Sequence, residues 1–149
     1  VARDLRASRA VVRIRILKDD REMTANVTVG DEIEVEVALR LKGAHCEPTI
    51  GIFITDLYGS TVTGTHTGFH GLKLSGISPG GVVTVRFTIA AHLKPDSYSI
   101  TVRLIENPEK GLPRTIMKMN QAAVFNVVGD APFYGMTNLC RAVRILNNS

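Results

Sequence analysis

Tryptophan is absent from the sequence, and Phe and Tyr alone make up its 5% aromatic content. Any ring stacking on this protein must draw on those few residues. Only two cysteines occur, Cys46 and Cys140, far apart in the chain. That excludes a disulfide framework, and two thiols alone cannot complete a metal site. Free thiols in a reducing compartment are the expectation. No apolar run reaches the roughly 18 residues of a membrane-spanning helix, and no signal peptide is visible. Charge of one sign does not accumulate. The net charge is +4, acids are interleaved with bases, and no basic stripe marks a nucleic-acid partner.

Catalytic signatures are missing as well. There is no Gly-rich phosphate loop followed by Lys and Ser/Thr, no nucleophile elbow, and no Cys/His pair with an orienting third group. The histidines are His45, His66, His70 and His92. His66 and His70 are four apart, but Thr67-Gly68-Phe69 between them is not helical, so the helical zinc spacing does not apply. Glu32, Glu34 and Glu36 fall on one strand face. They are expected to stay in water, because burying an unpaired carboxylate is costly. The expectation is a protein that is not an enzyme and needs no cofactor or metal. Its first residue is Val1, as in a piece of a longer protein.

What is present is alternation. At 149 residues the chain fits one domain with tails, large enough to bury roughly 70% of its unfolded surface. Its centre is Ile50–Gly68. Ile50, Ile52 and Ile54 alternate with Gly51, Phe53 and Thr55, Asp56–Gly59 makes a turn, and Ser60–Thr67 returns as a second strand. Further strands are predicted over Ala10–Leu17, Glu32–Leu41, Val82–Ile89, Tyr98–Ile105, Thr115–Met119 and Ala122–Val128. No helical period occurs. Short strands at near-regular spacing between Gly/Pro turns read as an all-β, antiparallel β-sandwich. Leu93-Lys-Pro-Asp-Ser-Tyr98 places a tyrosine just after a proline turn, as in the tyrosine corner of immunoglobulin-like sandwiches. Residues 1–9 read as the end of a linker, 10–129 as the sandwich, and 130–149 as a tail. In that tail Cys140–Ile145 reads as one more strand. Such a strand either folds back on its own sheet or pairs with a second copy, giving a homodimer by strand exchange.

With the isoleucines in the core, Phe53 and Thr55 lie on the outer face, and Thr101 and Arg103 follow on their own strand. Thr63, Thr65 and Thr67 share that side if their strand joins the same sheet. A phenylalanine among hydroxyls and a guanidinium suits a sugar: the ring stacks on C–H groups while Thr and Arg hydrogen-bond hydroxyls or a charged substituent. The candidate carbohydrate-binding residues are therefore Phe53, Thr55, Thr65, Thr67, Thr101 and Arg103. The alternative is that another strand or a dimer partner covers Phe53.

An ordered set of short patterns goes further. Gly30-Asp31-x-Ile33-x-Val35-x-Val37 is followed by Gly51-Ile-x-Ile54-x-Asp56-x-x-Gly59 and Val62-x-Gly64-Thr65-x-Thr67. Then come Val83-x-Val85-x-Phe87, Leu93-x-Pro95-Asp-x-Tyr98-x-Ile100-x-Val102 and Phe125-x-Val127-Val-Gly129. Over Val12–Gly129 the chain resembles the C-terminal carbohydrate-binding domain of Wzt-type ATP-binding subunits of O-antigen polysaccharide ABC transporters. The tail Phe133–Ile145 is similar to that family's terminal strand. The resemblance implies an immunoglobulin-like sandwich that dimerises by exchanging its last strand. It implies a noncatalytic domain tethered to an ATP-binding domain and working with the transporter's membrane subunit. Its place would be cytoplasmic, at the inner face of the inner membrane, and its ligand the non-reducing terminus of the polysaccharide. No Walker motif is present, as expected of the binding domain alone. The missing tryptophan departs from the usual sugar-stacking surface. Two other readings remain: a structural or interaction β-sandwich without a sugar site, and a noncatalytic module of a glycan-processing enzyme.

Overall fold

The computed structural model describes residues 11–23, 26–41, 47–74 and 80–146. The expected linker end at 1–9, His45 and Cys46 lie outside the described residues. Among the described residues there are nine strands: β1 Val11–Lys18, β2 Arg21–Glu22, β3 Asn26–Thr28, β4 Glu32–Arg40, β5 Thr49–Thr55, β6 Thr61–His66, β7 Val82–Ala90, β8 Asp96–Glu106 and β9 Arg114–Val128. A 3-10 turn, Thr67–His70, follows β6. Among the described residues no helix is long and apolar enough to cross a membrane.

The strands form two sheets, ordered β2-β1-β4-β7 and β3-β9-β8-β5-β6. All pairings are antiparallel except β3 with β9, which is parallel. The core lies between the sheets. From β4 it takes Ile33, Val35, Val37 and Leu39, and from β5 Ile50, Ile52 and Ile54. From β8 it takes Tyr98, Ile100, Val102 and Leu104. These are the alternating positions of each strand, as a half-buried sheet requires. Tyr98 stacks on Phe125 with ring centroids 5.6 Å apart. Its hydroxyl donates to the Lys94 carbonyl at 2.7 Å, so the tyrosine corner forms as the sequence predicts.

Besides the short strands β2 and β3 and the 3-10 turn at Thr67–His70, none of which the sequence predicts, the structure differs from the sequence reading at three places. The two strands expected over Thr115–Met119 and Ala122–Val128 are one 15-residue strand, β9. It stays continuous because β8 pairs with both halves across a bulge. The second difference is Glu36, which is buried at 2% exposure rather than solvated. It sits on the central strand β4, directly opposite Arg15 on one side and Arg86 on the other. Arg15 Nε, Arg86 Nε and Arg13 Nη2 each lie 2.8 Å from its carboxylate. The hydrogen bonds from Arg15, then Arg86, hold its pKa down to about 2. The arginine stems roof over the carboxylate while their heads supply its partners. Third, residues 140–146 form no sheet partnership within the chain. The tail's last pairing is a bridge between Leu93 and Thr137, flanked by Lys94 N–H to Met136 O and Asn138 N–H to His92 O, both 2.9 Å.

Candidate functional site

The outer face of the five-stranded sheet carries the site. On β5, packing the isoleucines inward leaves Gly51, Phe53 and Thr55 outward. On β8 the same alternation leaves Ser99, Thr101 and Arg103 outward. Register aligns the two sets: Phe53 faces Thr101, Gly51 faces Arg103, and Thr55 faces Ser99. Lys118 of β9 stands directly opposite Arg103.

Two walls turn this flat floor into a hollow of about 500 Å³. One wall is the bulge in β9. There Asn120, Gln121 and Ala122 stand against the single Thr101, and Gln121 takes a φ of 49°. Left-handed backbone is unfavourable for a residue with a β-carbon, and it recurs beside functional sites. The other wall is the β5–β6 turn. Asp56 Oδ1 accepts from the Tyr58 and Ser60 N–H groups at 2.9 Å each, which stiffens the turn as an Asx motif does. On the floor, the Thr55 and Ser99 hydroxyls are 2.7 Å apart.

Phe53 is not an open platform. One side of its ring lies on Gly64, where a β-carbon would come within 2.4 Å of Cδ1. The Arg103 guanidinium covers the ring, with Cζ 4.4 Å from the centroid. An exposed ring beside this sheet is instead Phe69, in the 3-10 turn after β6, at 75% exposure. It stacks on His66 at 3.7 Å, whose Nδ1 accepts the Phe69 N–H at 3.3 Å. Burial, then the neighbouring His70, pushes the His66 pKa down.

The structure brings four of the six predicted residues together: Phe53, Thr55, Thr101 and Arg103. It does not bring Thr65 and Thr67 to them. Strand β6 joins the same sheet as expected, but its register places Gly64 opposite Phe53 and Thr65 opposite Ile52. Opposed residues point to the same side, so Thr63 and Thr65 face inward with the isoleucines. They border a separate cleft of about 530 Å³ between the sheets, beside Phe87 and Ile89. Thr65 Oγ1 bonds His70 Nε2 at 3.0 Å. Thr67 is buried at 1% exposure, and its hydroxyl accepts the Ile50 N–H at 3.1 Å.

Sequence reasoning missed Ser99, Lys118, Asn120 and Gln121. Ser99 was available from the alternation that found Thr101. Lys118 needed the β8–β9 register, and Asn120 and Gln121 needed the bulge.

A family model described as the Wzt C-terminal domain matches residues 8–139. Among solved structures, the crystal structure of the C-terminal domain of wzt is similar, with a TM-score of 0.78 and 14% identity. The likeness covers 91% of this chain and 82% of that one. At that identity it speaks for the fold. No curated protein matches.

Proposed function

The chain belongs to the Wzt C-terminal domain family, and on that premise we propose that it is a noncatalytic glycan-binding domain. It reads the non-reducing terminus of an O-antigen polysaccharide and so licenses export by an ABC transporter. The observation that carries this reading is the polar hollow over Phe53, Thr55, Thr101 and Arg103. It is concave, lined by hydroxyls, amides and two cations, and built on a rigid sheet, as a saccharide site needs to be. In this proposal the domain works in the cytoplasm at the inner face of the inner membrane. It is tethered there to an ATP-binding domain that acts with the membrane subunit.

The same reading includes a homodimer made by exchange of the C-terminal strand. Leu139, Val143, Ile145 and Leu146 are each at least 78% exposed. Such a run of open apolar side chains on an unpaired segment supports pairing with a second copy.

Calorimetric titration with the polysaccharide of the source cell tests the function. Binding that depends on the terminal residue and is lost in Arg103→Ala is the expected result. Thr65→Val, on the other face, keeps binding. Failure to bind any terminus would return the structural or interaction module as the better reading.

A further inference from the structure

We propose that the hollow takes an anionic sugar substituent, a carboxylate or a phosphate ester, between Arg103 and Lys118. This rests on the hollow being the glycan site and names the chemistry it selects.

Three observations converge. First, the Arg103 guanidinium has no carboxylate partner among the described residues. Its contact is the Phe53 ring, and its Nε is buried without a hydrogen-bond partner. Guanidinium groups held at this depth are ordinarily paired, as Arg15 and Arg86 are at Glu36 on the opposite sheet. Second, Lys118 stands directly opposite Arg103, and Lys118 also takes part in no ion pair among the described residues. Like charges directly opposed across two strands are unfavourable for folding. A fold that keeps such a pair uncompensated breaks a local rule where a ligand would repair it. Third, the acidic residue lining the hollow is Asp56. Its Oδ1 accepts from the backbone of its own turn, and it makes no ion pair with Arg103 or Lys118 among the described residues.

Phe53 is a positioning residue: with Gly64 beneath it, its ring fixes the plane of the guanidinium from one side. The free edge of that plane is a fork matched to two oxygens of one anion. Lys118 adds a point charge across the strand gap. Thr101, two positions from Arg103 along β8 and opposite the bulge, lines the same hollow.

The test is an NMR titration of the 149-residue chain, following backbone amides and the Arg103 Nε–H. The probes are methyl glucuronide, glucose 1-phosphate and neutral methyl glucoside. The charged probes are expected to bind about tenfold or more tightly than the neutral one, moving Arg103, Thr101 and Lys118. Arg103→Lys, which keeps the charge and loses the fork, is expected to remove that preference, and Lys118→Ala to weaken it. The stronger of the two charged probes identifies carboxylate or phosphate. Equal binding of all three probes in the hollow would overturn the anion proposal and leave the glycan reading intact. An unchanged preference in a folded Arg103→Lys chain would overturn it too. Shifts that avoid the hollow for every probe would overturn both.

Discussion

The ring of Phe53 lies on the bare backbone of Gly64: a β-carbon there would fall 2.4 Å from Cδ1 and 2.8 Å from Cε1. The two residues are opposed across β5 and β6, and the ring covers a position that would otherwise leave strand backbone open to water. Gly64→Ala therefore has to displace the ring, and with it the guanidinium stacked on it. The expected cost is about 1–3 kcal/mol, as for other overpacked sites, read by urea unfolding. In a Phe53→Leu background the same substitution is expected to cost less, because the smaller side chain gives way. A double-mutant cycle with no coupling would show that the contact carries no energy.

Glu36 gives the fold an acid limit. Its folded pKa, about 2, lies below its ordinary value of 4.5. The stabilisation is thus complete above pH 4.5 and is lost as pH falls from there towards 2. Asp31, held down by its hydrogen bond to Lys18, adds in the same direction. Glu36→Gln is expected to lower the melting temperature at pH 7, since Arg13, Arg15 and Arg86 then converge on a neutral amide. It should also flatten the decline between pH 4.5 and 2. A variant whose stability falls with acid as steeply as the parent's would remove Glu36 from the account.

The Tyr98 hydroxyl predicts a smaller and cleaner effect. Tyr98→Phe keeps the stack on Phe125 and deletes one hydrogen bond to Lys94 O. The loss is expected at about 1–3 kcal/mol, because the carbonyl at this corner loses its donor. The denaturant slope should not change, since the surface exposed on unfolding is the same. A loss below a few tenths would mean that water replaces the hydroxyl.

The period-two pattern made the inner face legible. Ile50, Ile52 and Ile54, and likewise Ile33 to Leu39, are where alternation puts them, because a core admits nothing else. The same pattern located Phe53, Thr55, Thr101 and Arg103, since each is one step from a core residue on its own strand. It failed where the answer depends on a partner strand. Thr65 has the right type and spacing, yet the register of β6 against β5 turns it inward. From the sequence Glu36 reads as solvated, because its neutralising arginines lie 21 and 50 positions away. The bulge at Asn120–Ala122 left no local mark, because polar residues in a strand do not announce a left-handed φ at Gln121.

Strand exchange makes the last prediction, and the point of truncation matters. Residues 136–138 are tied to 92–94 by two backbone hydrogen bonds and a bridge, so removing the whole tail would damage the domain itself. A chain ending at Asn138 keeps those contacts and loses the apolar run from Leu139 onward. It is expected to stay folded and be monomeric by light scattering at concentrations where the full chain is a dimer. Val143 and Ile145, two residues apart, would share one face of an exchanged strand. If each buries its side chain in the partner, substituting both with Asp removes about 3 kcal/mol or more of association energy, a hundredfold or greater rise in the dimer dissociation constant. A truncated chain that remains dimeric would place the contact elsewhere, and the free edge of β7 would be the next strand to disrupt.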